Sequence, residues 1–425
     1  MPKRLWVQNV LKLASTFSLF LLVSMTVTVL VPGPTQAEKL KDVIPGLYGG
    51  NGFQVTASGG GGSTSADFAL NSLNDLNDLT NGITSQLGQF AVNSTVGGVT
   101  FDMERGIPVE VSQSPGPLFG ELANTIGKGR LNFQVNWSYA KYDKFNGQNL
   151  SSLETTAQAS LQPGQQPTTD QLKTVTDVTV ITNFVGFYGT YGLTDFWDVN
   201  LVVPIVTTKL KAKANSQLVD ANGIPCPQQP GGGTGNCSGR YSIVPGQFDS
   251  PKDTRSSEST GIGDIILRSK YRFLEEHPIA PDLAVRGDVS FPTGNEDNFQ
   301  GLGDFRFAAL AIASKYYSSP IGMIGPHVNT GVSIVNNQSS RNAFTYVAGF
   351  DVAPVPTVAV SLDLLGRHEL NDKDNSGKDI VDLAPGFKWA PYPNTVVQAA
   401  VILPLNINEG LRANQTWTAG FGGTF

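Results

Sequence analysis

GDIILRSKYRF, residues 263–273, decides how this chain is read. Ile265, Leu267, Tyr271 and Phe273 alternate with Asp264, Arg268, Lys270 and Arg272. In a strand, successive side chains point to opposite faces. One face of this segment is therefore apolar and aromatic, and the other is charged. A soluble sandwich buries its apolar face and rarely shows aromatics at both ends of so many strands. A dry interior does not host unpaired charges either. A closed sheet in lipid satisfies both faces: apolar residues meet the hydrocarbon, and charges line a polar lumen.

The pattern repeats on both sides of this segment. LNFQVNWSYAKY sets Leu131, Phe133, Val135, Trp137 and Tyr139 against Asn132, Gln134, Asn136 and Ser138. FWDVNLVVPIV, DLAVRGDVSF and GDFRFAALAIAS follow the same rule, placing Arg286, Asp288, Asp304 and Arg306 on the polar face. Later segments alternate too, up to QTWTAGFGGTF at the carboxyl end, where Trp417, Phe421 and Phe425 share one face. Chain ends are usually polar and loose unless a sheet holds them. An aromatic last residue fits a final strand that pairs with the first and anchors at the membrane interface.

The connections also alternate in length. GLTD (192–195), SSPIG (318–322), PVP (354–356) and PYPN (391–394) are tight, whereas 146–172, 210–259, 293–301, 337–341, 371–377 and 408–413 are polar and longer. Short turns at one end and long loops at the other mark an outer-membrane barrel. The expectation is an all-β fold: a transmembrane antiparallel up-and-down barrel of about twelve strands, with a small, partly helical N-terminal segment.

Composition agrees. The 425 residues are only 15% charged, with net charge -6, against about 25% charged in typical soluble domains. No basic stripe is present to neutralise phosphates, which excludes a nucleic-acid partner. Lys3, Arg4 and Lys12 precede an apolar run from Phe17 to Val31 and then Thr35 and Ala37. That is the layout of a secretory signal peptide. Three regions follow: a signal at 1–37, an N-terminal segment at 38–125 and a barrel at 126–425. Within the second, Leu73, Leu76, Leu79, Ile83 and Leu87 have helical spacing. They predict a short amphipathic helix that plugs a pore or lies at the periplasmic mouth, or else a partly ordered tail. Cys226 and Cys237 share one Gly/Pro-rich stretch. In an oxidising compartment they are expected to form a disulfide in the largest external loop, the alternative being two free thiols.

The stretches GPLFGELANTIGKGRLNFQVNWSYAKYDKFNGQNL, YGLTDFWDVNLVVPIV, TGIGDIILRSKYRF, SFPTGNEDN and GPHVNTGVSIV resemble the outer-membrane barrels grouped under the MetA pathway of phenol degradation. That group is related in architecture to FadL-like channels. The resemblance runs from about Pro115 to Phe425. It implies an outer-membrane channel taking up small apolar or aromatic compounds, with lipids, the barrel assembly machinery and a small solute as partners. The alternatives are a structural or surface-interaction barrel without transport, and a membrane hydrolase.

Catalytic chemistry has little footing. The chain lacks GxSxG, HExxH, Walker and CxxC motifs, and its histidines are His277, His327 and His368. PHVNTG around His327 faintly matches a phospholipase neighbourhood, but Val328 follows it and no serine nucleophile does. NDKDNSGKD sets Asp372, Asp374, Ser376 and Gly377 at calcium-loop positions, yet Leu383 stands where a bidentate glutamate is needed. No enzyme, cofactor or metal is expected. The lumen charges Asp264, Arg268, Lys270, Arg272, Arg286, Asp288, Asp304 and Arg306 are the candidate selectivity residues, the alternative being ion pairs that only brace the wall. With a loop centred near residue 297, Asp288 is expected opposite Arg306.

Overall fold

Alternation over so many segments dictates strands, and the strands close. The computed structural model describes residues 38–47, 55–57, 79–80, 82–83, 101–102, 109–110, 116–158, 171–220, 222–225, 241–243, 252–275, 280–371, 377–392 and 394–425. Lys39–Phe425 form one unit. Its wall is a closed antiparallel barrel of 12 strands, as the sequence led one to expect. In chain order these are β1 Leu131–Phe145, β2 Gln171–Thr194, β3 Trp197–Val219, β4 Ile265–Leu274, β5 Asp282–Phe291 and β6 Arg306–Ser314. They continue as β7 Gly322–Val335, β8 Ala343–Val355, β9 Val358–Glu369, β10 Asp379–Trp389, β11 Thr395–Pro404 and β12 Leu411–Thr424. Each strand pairs with its sequence neighbour, and β12 pairs with β1. The ring is locked at its seam by Leu131 N donating to Phe425 O at 2.9 Å and Phe425 N to Leu131 O at 2.7 Å.

Tight turns lie at the end where the seam closes. They include Asp195–Phe196 between β2 and β3, and Pro356–Thr357 between β8 and β9. This is the turn end, and the opposite rim is the loop end. In an outer-membrane barrel the loop end faces outward. The outward-facing side chains form an apolar band, with Leu201, Leu267, Val285, Phe307 and Val332 all exposed on the wall. Aromatic side chains cluster toward the turn end, where Phe196 meets the Tyr271 edge at 5.6 Å and Trp197, Tyr317 and Trp389 stand exposed. Phe421 and Phe425 share this side, whereas Trp417 sits higher, paired with Tyr139. An exposed apolar belt of this extent needs lipid around it, so the protein resides in the outer membrane.

The long hairpin departs from the sequence reading. Residues 210–219 and 252–259 were expected in a loop, yet β2 and β3 run for 24 and 23 residues. A tilted membrane strand needs only about 9–11 residues. The surplus projects beyond the loop-end rim. There Lys252–Ile262 continues β4 after a break at Gly263–Asp264 and pairs with the outer half of β3. The outward charges mark where lipid stops: Lys209, Lys211 and Lys213 are exposed, and Lys209 faces Glu258 across the ladder at 3.6 Å. These stretches read as loop because their outward face is polar and no lipid-facing apolar stripe signals a strand.

The register moves one expected pairing. Asp288 lies opposite Arg268 on β4 and Ala308 on β6, while Arg306 faces Ser290. The β5–β6 loop is centred one residue later than the sequence suggested, and β4 carries a bulge at Arg272/Leu274. Moving a pairing by two residues keeps every side chain on its own face.

Cys226 and Cys237, the calcium-like positions Asp372, Asp374 and Ser376, and residues 1–37 lie outside the described residues. Leu73, Leu76 and Leu87 do too, whereas Leu79 and Ile83 are buried in helical backbone. They are not at the periplasmic mouth, because they pack with Phe145, Leu150 and Leu153 at the loop end. A Cβ on Gly82 would overlap the Phe145 ring.

The seam supports one expectation about assembly. Removing Phe425 takes away two backbone hydrogen bonds that join the last strand to the first. An open edge cannot be satisfied in lipid. The deletion should sharply reduce heat-modifiable barrel in the outer membrane, as read on unheated gels. Wild-type amounts of folded barrel would contradict this.

Candidate functional site

The lumen is polar where β-strand alternation puts polar residues inward, and it is occupied. Residues 116–130 form a strap that lies inside the barrel in the turn half. Leu118, Phe119, Leu122, Ala123 and Ile126 are buried, and so is Glu121, at 1% exposure. This strap straddles the boundary expected at residue 125; the first barrel strand starts at Leu131.

Wall side chains hold the strap through its backbone. Phe119 N donates to Asp363 Oδ2 at 3.3 Å, and Ala123 N to Ser314 Oγ at 3.0 Å. Glu121 N donates to Asn329 Oδ1 at 2.6 Å, and Asn329 Nδ2 returns a bond to Glu121 O at 2.7 Å. Ile126 N donates to both Asp198 oxygens, and Lys128 N to Asp195 Oδ1 at the turn end. A strap without secondary structure has unpaired amides, and the wall supplies acceptors for them. Gly120 is required by this fit, since a Cβ there would overlap the His327 ring.

Glu121 is the electrostatic centre. Its Oε1 receives Lys270 Nζ at 2.9 Å, and its Oε2 receives Arg286 Nη1 at 2.9 Å. Lys270 also donates to Leu122 O at 3.2 Å and Asn124 O at 2.7 Å. Arg286 grips Asp288 through two bonds of 2.9 and 3.0 Å. Arg268 completes the row, with Nε 3.9 Å from Asp288 Oδ2. Buried charges are tolerated only when paired and hydrogen-bonded. Here one strap carboxylate satisfies two wall cations.

The eight expected lumen residues thus divide. Arg268, Lys270, Arg286 and Asp288 converge on the strap. Arg306 stands within electrostatic reach of Asp288 and Asp264. Asp264 accepts from Gly294 N at 3.0 Å and Leu302 N at 2.9 Å, so it fastens the β5–β6 loop. Asp304 lies in that loop, accepting from Asn337 and Gln338. Arg272 sits at the turn end, donating to Asp195 O at 2.9 Å and pairing with Glu275. Asp264 and Asp304 therefore act as loop scaffolding. Sequence reasoning missed Glu121, although it is the sole charge in GPLFGELANTIG, residues 116–127. A lone acid in an apolar, Gly-rich stretch opposite a cation-rich wall was the available signal.

Both ring nitrogens of His327 are engaged: Nε2 lies 2.7 Å from Asp363 Oδ1 and Nδ1 lies 3.2 Å from Gly325 O. Neither is free to activate a hydroxyl, so the histidine braces the wall against the strap.

Above Phe119, toward the loop end, a cavity of about 270 Å³ remains. Phe119, Tyr142, Val347, Leu365, Ile380 and Ile402 line it, with Arg367, Asp382 and Arg412 at its loop side. Arg412 is paired with Asp382 and donates to Asn406 O at 2.9 Å, while Arg367 pairs with Glu369 at 2.7 Å. The charges at this end are thus internally compensated, and the rest of the lining is mostly apolar, with Thr345, Tyr346 and Thr416 as its polar members.

No curated protein matches this chain. Solved structures do. An outer membrane channel from Pseudomonas putida F1 is 11% identical, covering 71% of this chain and 98% of its own, with a TM-score of 0.45. The toluene transporter TbuX of Ralstonia pickettii is 12% identical, over 71% and 90%, with a TM-score of 0.33. A FadL homologue from Pseudomonas aeruginosa is 10% identical, over 70% and 90%, with a TM-score of 0.28. Residues 154–319 match the family described as Putative MetA-pathway of phenol degradation, the same outer-membrane barrel family that the sequence resembles.

Proposed function

We propose that this protein is an outer-membrane channel through which small apolar or aromatic compounds pass passively. The observation that carries this reading is the cavity of about 270 Å³ between Phe119 and the loop end. Ligand sites are concave and mostly apolar, with a few polar groups that orient the ligand. This cavity has that character: aromatic and aliphatic walls, and a loop-side rim of paired charges. Its volume suits a single-ring compound. The strap forms its floor, so solute reaching the cavity passes onward only when the strap shifts. The family matched over 154–319 is named for phenol degradation, which fits the same solute class.

The test is flux into proteoliposomes. Single-ring aromatic solutes should enter faster than sugars of equal size. Ile380→Asp puts a charge into the apolar lining and should cut aromatic flux severalfold while leaving folded barrel unchanged. Equal flux of both solute classes would mean an unselective pore. No flux of either would favour the second reading, a plugged barrel with a structural role, which the depth of the strap itself supports.

A further inference from the structure

Three described pieces of the chain before the strap lie at the loop end. The helix α1, Leu40–Gly46, buries Leu40, Val43 and Ile44 in the same cluster as Phe145, Val178 and Leu210. Leu40 N donates to Asn298 Oδ1 at 3.2 Å, and Lys39 Nζ reaches Asp297 Oδ2 at 2.6 Å; Lys41 pairs with Asp297 as well. Asn298 and Asp297 belong to the long β5–β6 loop. Val55–Ala57 pair with Tyr241–Ile243, between β3 and the outer continuation of β4. Leu79 and Ile83 join the first cluster.

The strap, in contrast, lies in the turn half. Ala123 bonds Ser314 near the β6–β7 turn, and Lys128 bonds Asp195 in the β2–β3 turn. One chain therefore has its earlier part at the loop rim and its later part near the opposite rim. The wall between them is hydrogen-bonded all the way round. A polar backbone does not run down the lipid side of such a wall. At both levels the chain meets inward-facing wall side chains, α1 at Val178 and Leu210 and the strap at Ser314 and Asp198.

We infer that the N-terminal arm is threaded outward through the protein's own pore, so that α1 is displayed on the cell surface. The barrel then carries its arm as a resident of the channel, docked outside on Asp297 and Asn298 and clamped inside at Glu121. This does not depend on the transport reading. It also explains why α1 has a full apolar face buried against the inner side of the loop-end halves of β1, β2 and β3, and why basic residues at its start meet an acidic loop.

Labelling of intact cells tests it. In a Cys226→Ser/Cys237→Ser background, Asp42→Cys places a thiol at an exposed position of α1. Asn336→Cys at the loop end and Ser318→Cys at the turn end serve as position markers, both exposed. The reagent is a maleimide on a polyethylene glycol too large for the pore. Asp42→Cys should be modified on intact cells as fully as Asn336→Cys, with Ser318→Cys modified only after the outer membrane is permeabilised. If Asp42→Cys assembles poorly, Lys39→Cys gives the same readout. Modification of position 42 or 39 only after permeabilisation, in step with Ser318→Cys, would overturn the inference.

Discussion

Replacing Glu121 by glutamine should open the pore. The side chain keeps its size, so the strap still fits. What disappears is the charge that Lys270 and Arg286 share at 2.9 Å each. Three wall cations, Arg268, Lys270 and Arg286, would then face two wall carboxylates, Asp288 and, opposite Lys270, Asp198. Breaking a buried pair by removing one partner costs about 3–5 kcal/mol. That cost falls on the strap-bound state alone, because the wall without its strap admits water to solvate these cations. At about 1.4 kcal/mol per tenfold, strap release should rise by roughly two to three and a half orders of magnitude. In planar bilayers the variant should show frequent long openings where the wild type is mostly closed. Glu121→Asp, which keeps the charge on a shorter arm, should fall between the two. Wild-type conductance from Glu121→Gln would mean the ion pairs brace the wall without closing the channel.

A second large effect is expected one residue from the same cluster, on the other face of β4. Leu267 points outward, 40% exposed, paired with Leu201 and Val289 in the middle of the band. Leu267→Arg places a guanidinium in hydrocarbon. Near the bilayer midplane this costs about 2–4 kcal/mol. The neighbouring Arg268 faces inward and is 3% exposed. A charge there is native, whereas a charge one position earlier is not tolerated. Denaturant-driven refolding into vesicles should show the loss for Leu267→Arg. A midpoint equal to wild type would contradict the assignment of this face to lipid.

The wall was legible because lipid and lumen impose opposite chemistry on alternate residues. GDIILRSKYRF has both faces fully written, and so the strand count and the side each residue takes could be read directly. Three things were not legible, each for a physical reason. The outer halves of β2 and β3 stand above the lipid, so Lys209, Lys211 and Lys213 replace the outward apolar stripe, and Leu210, Ala212 and Ala214 on the inner face are buried against α1. The pairing of Asp288 depends on how the β5–β6 loop closes, and side-chain alternation does not distinguish registers two residues apart. The strap has neither period, because wall side chains, not a ladder or helix, satisfy its backbone. The charges of the candidate site were therefore found, while the carboxylate that organises them was not.

A reversible lock on the strap tests the central claim most directly. Ala123 N lies 3.0 Å from Ser314 Oγ, so the two residues are adjacent across the strap–wall contact. Ala123→Cys/Ser314→Cys, in the Cys226→Ser/Cys237→Ser background, joins strap to wall when oxidised and frees it when reduced. Flux of a single-ring aromatic solute into proteoliposomes should stop on oxidation and return on reduction. The same flux in both states would contradict a channel gated by the movement of this strap.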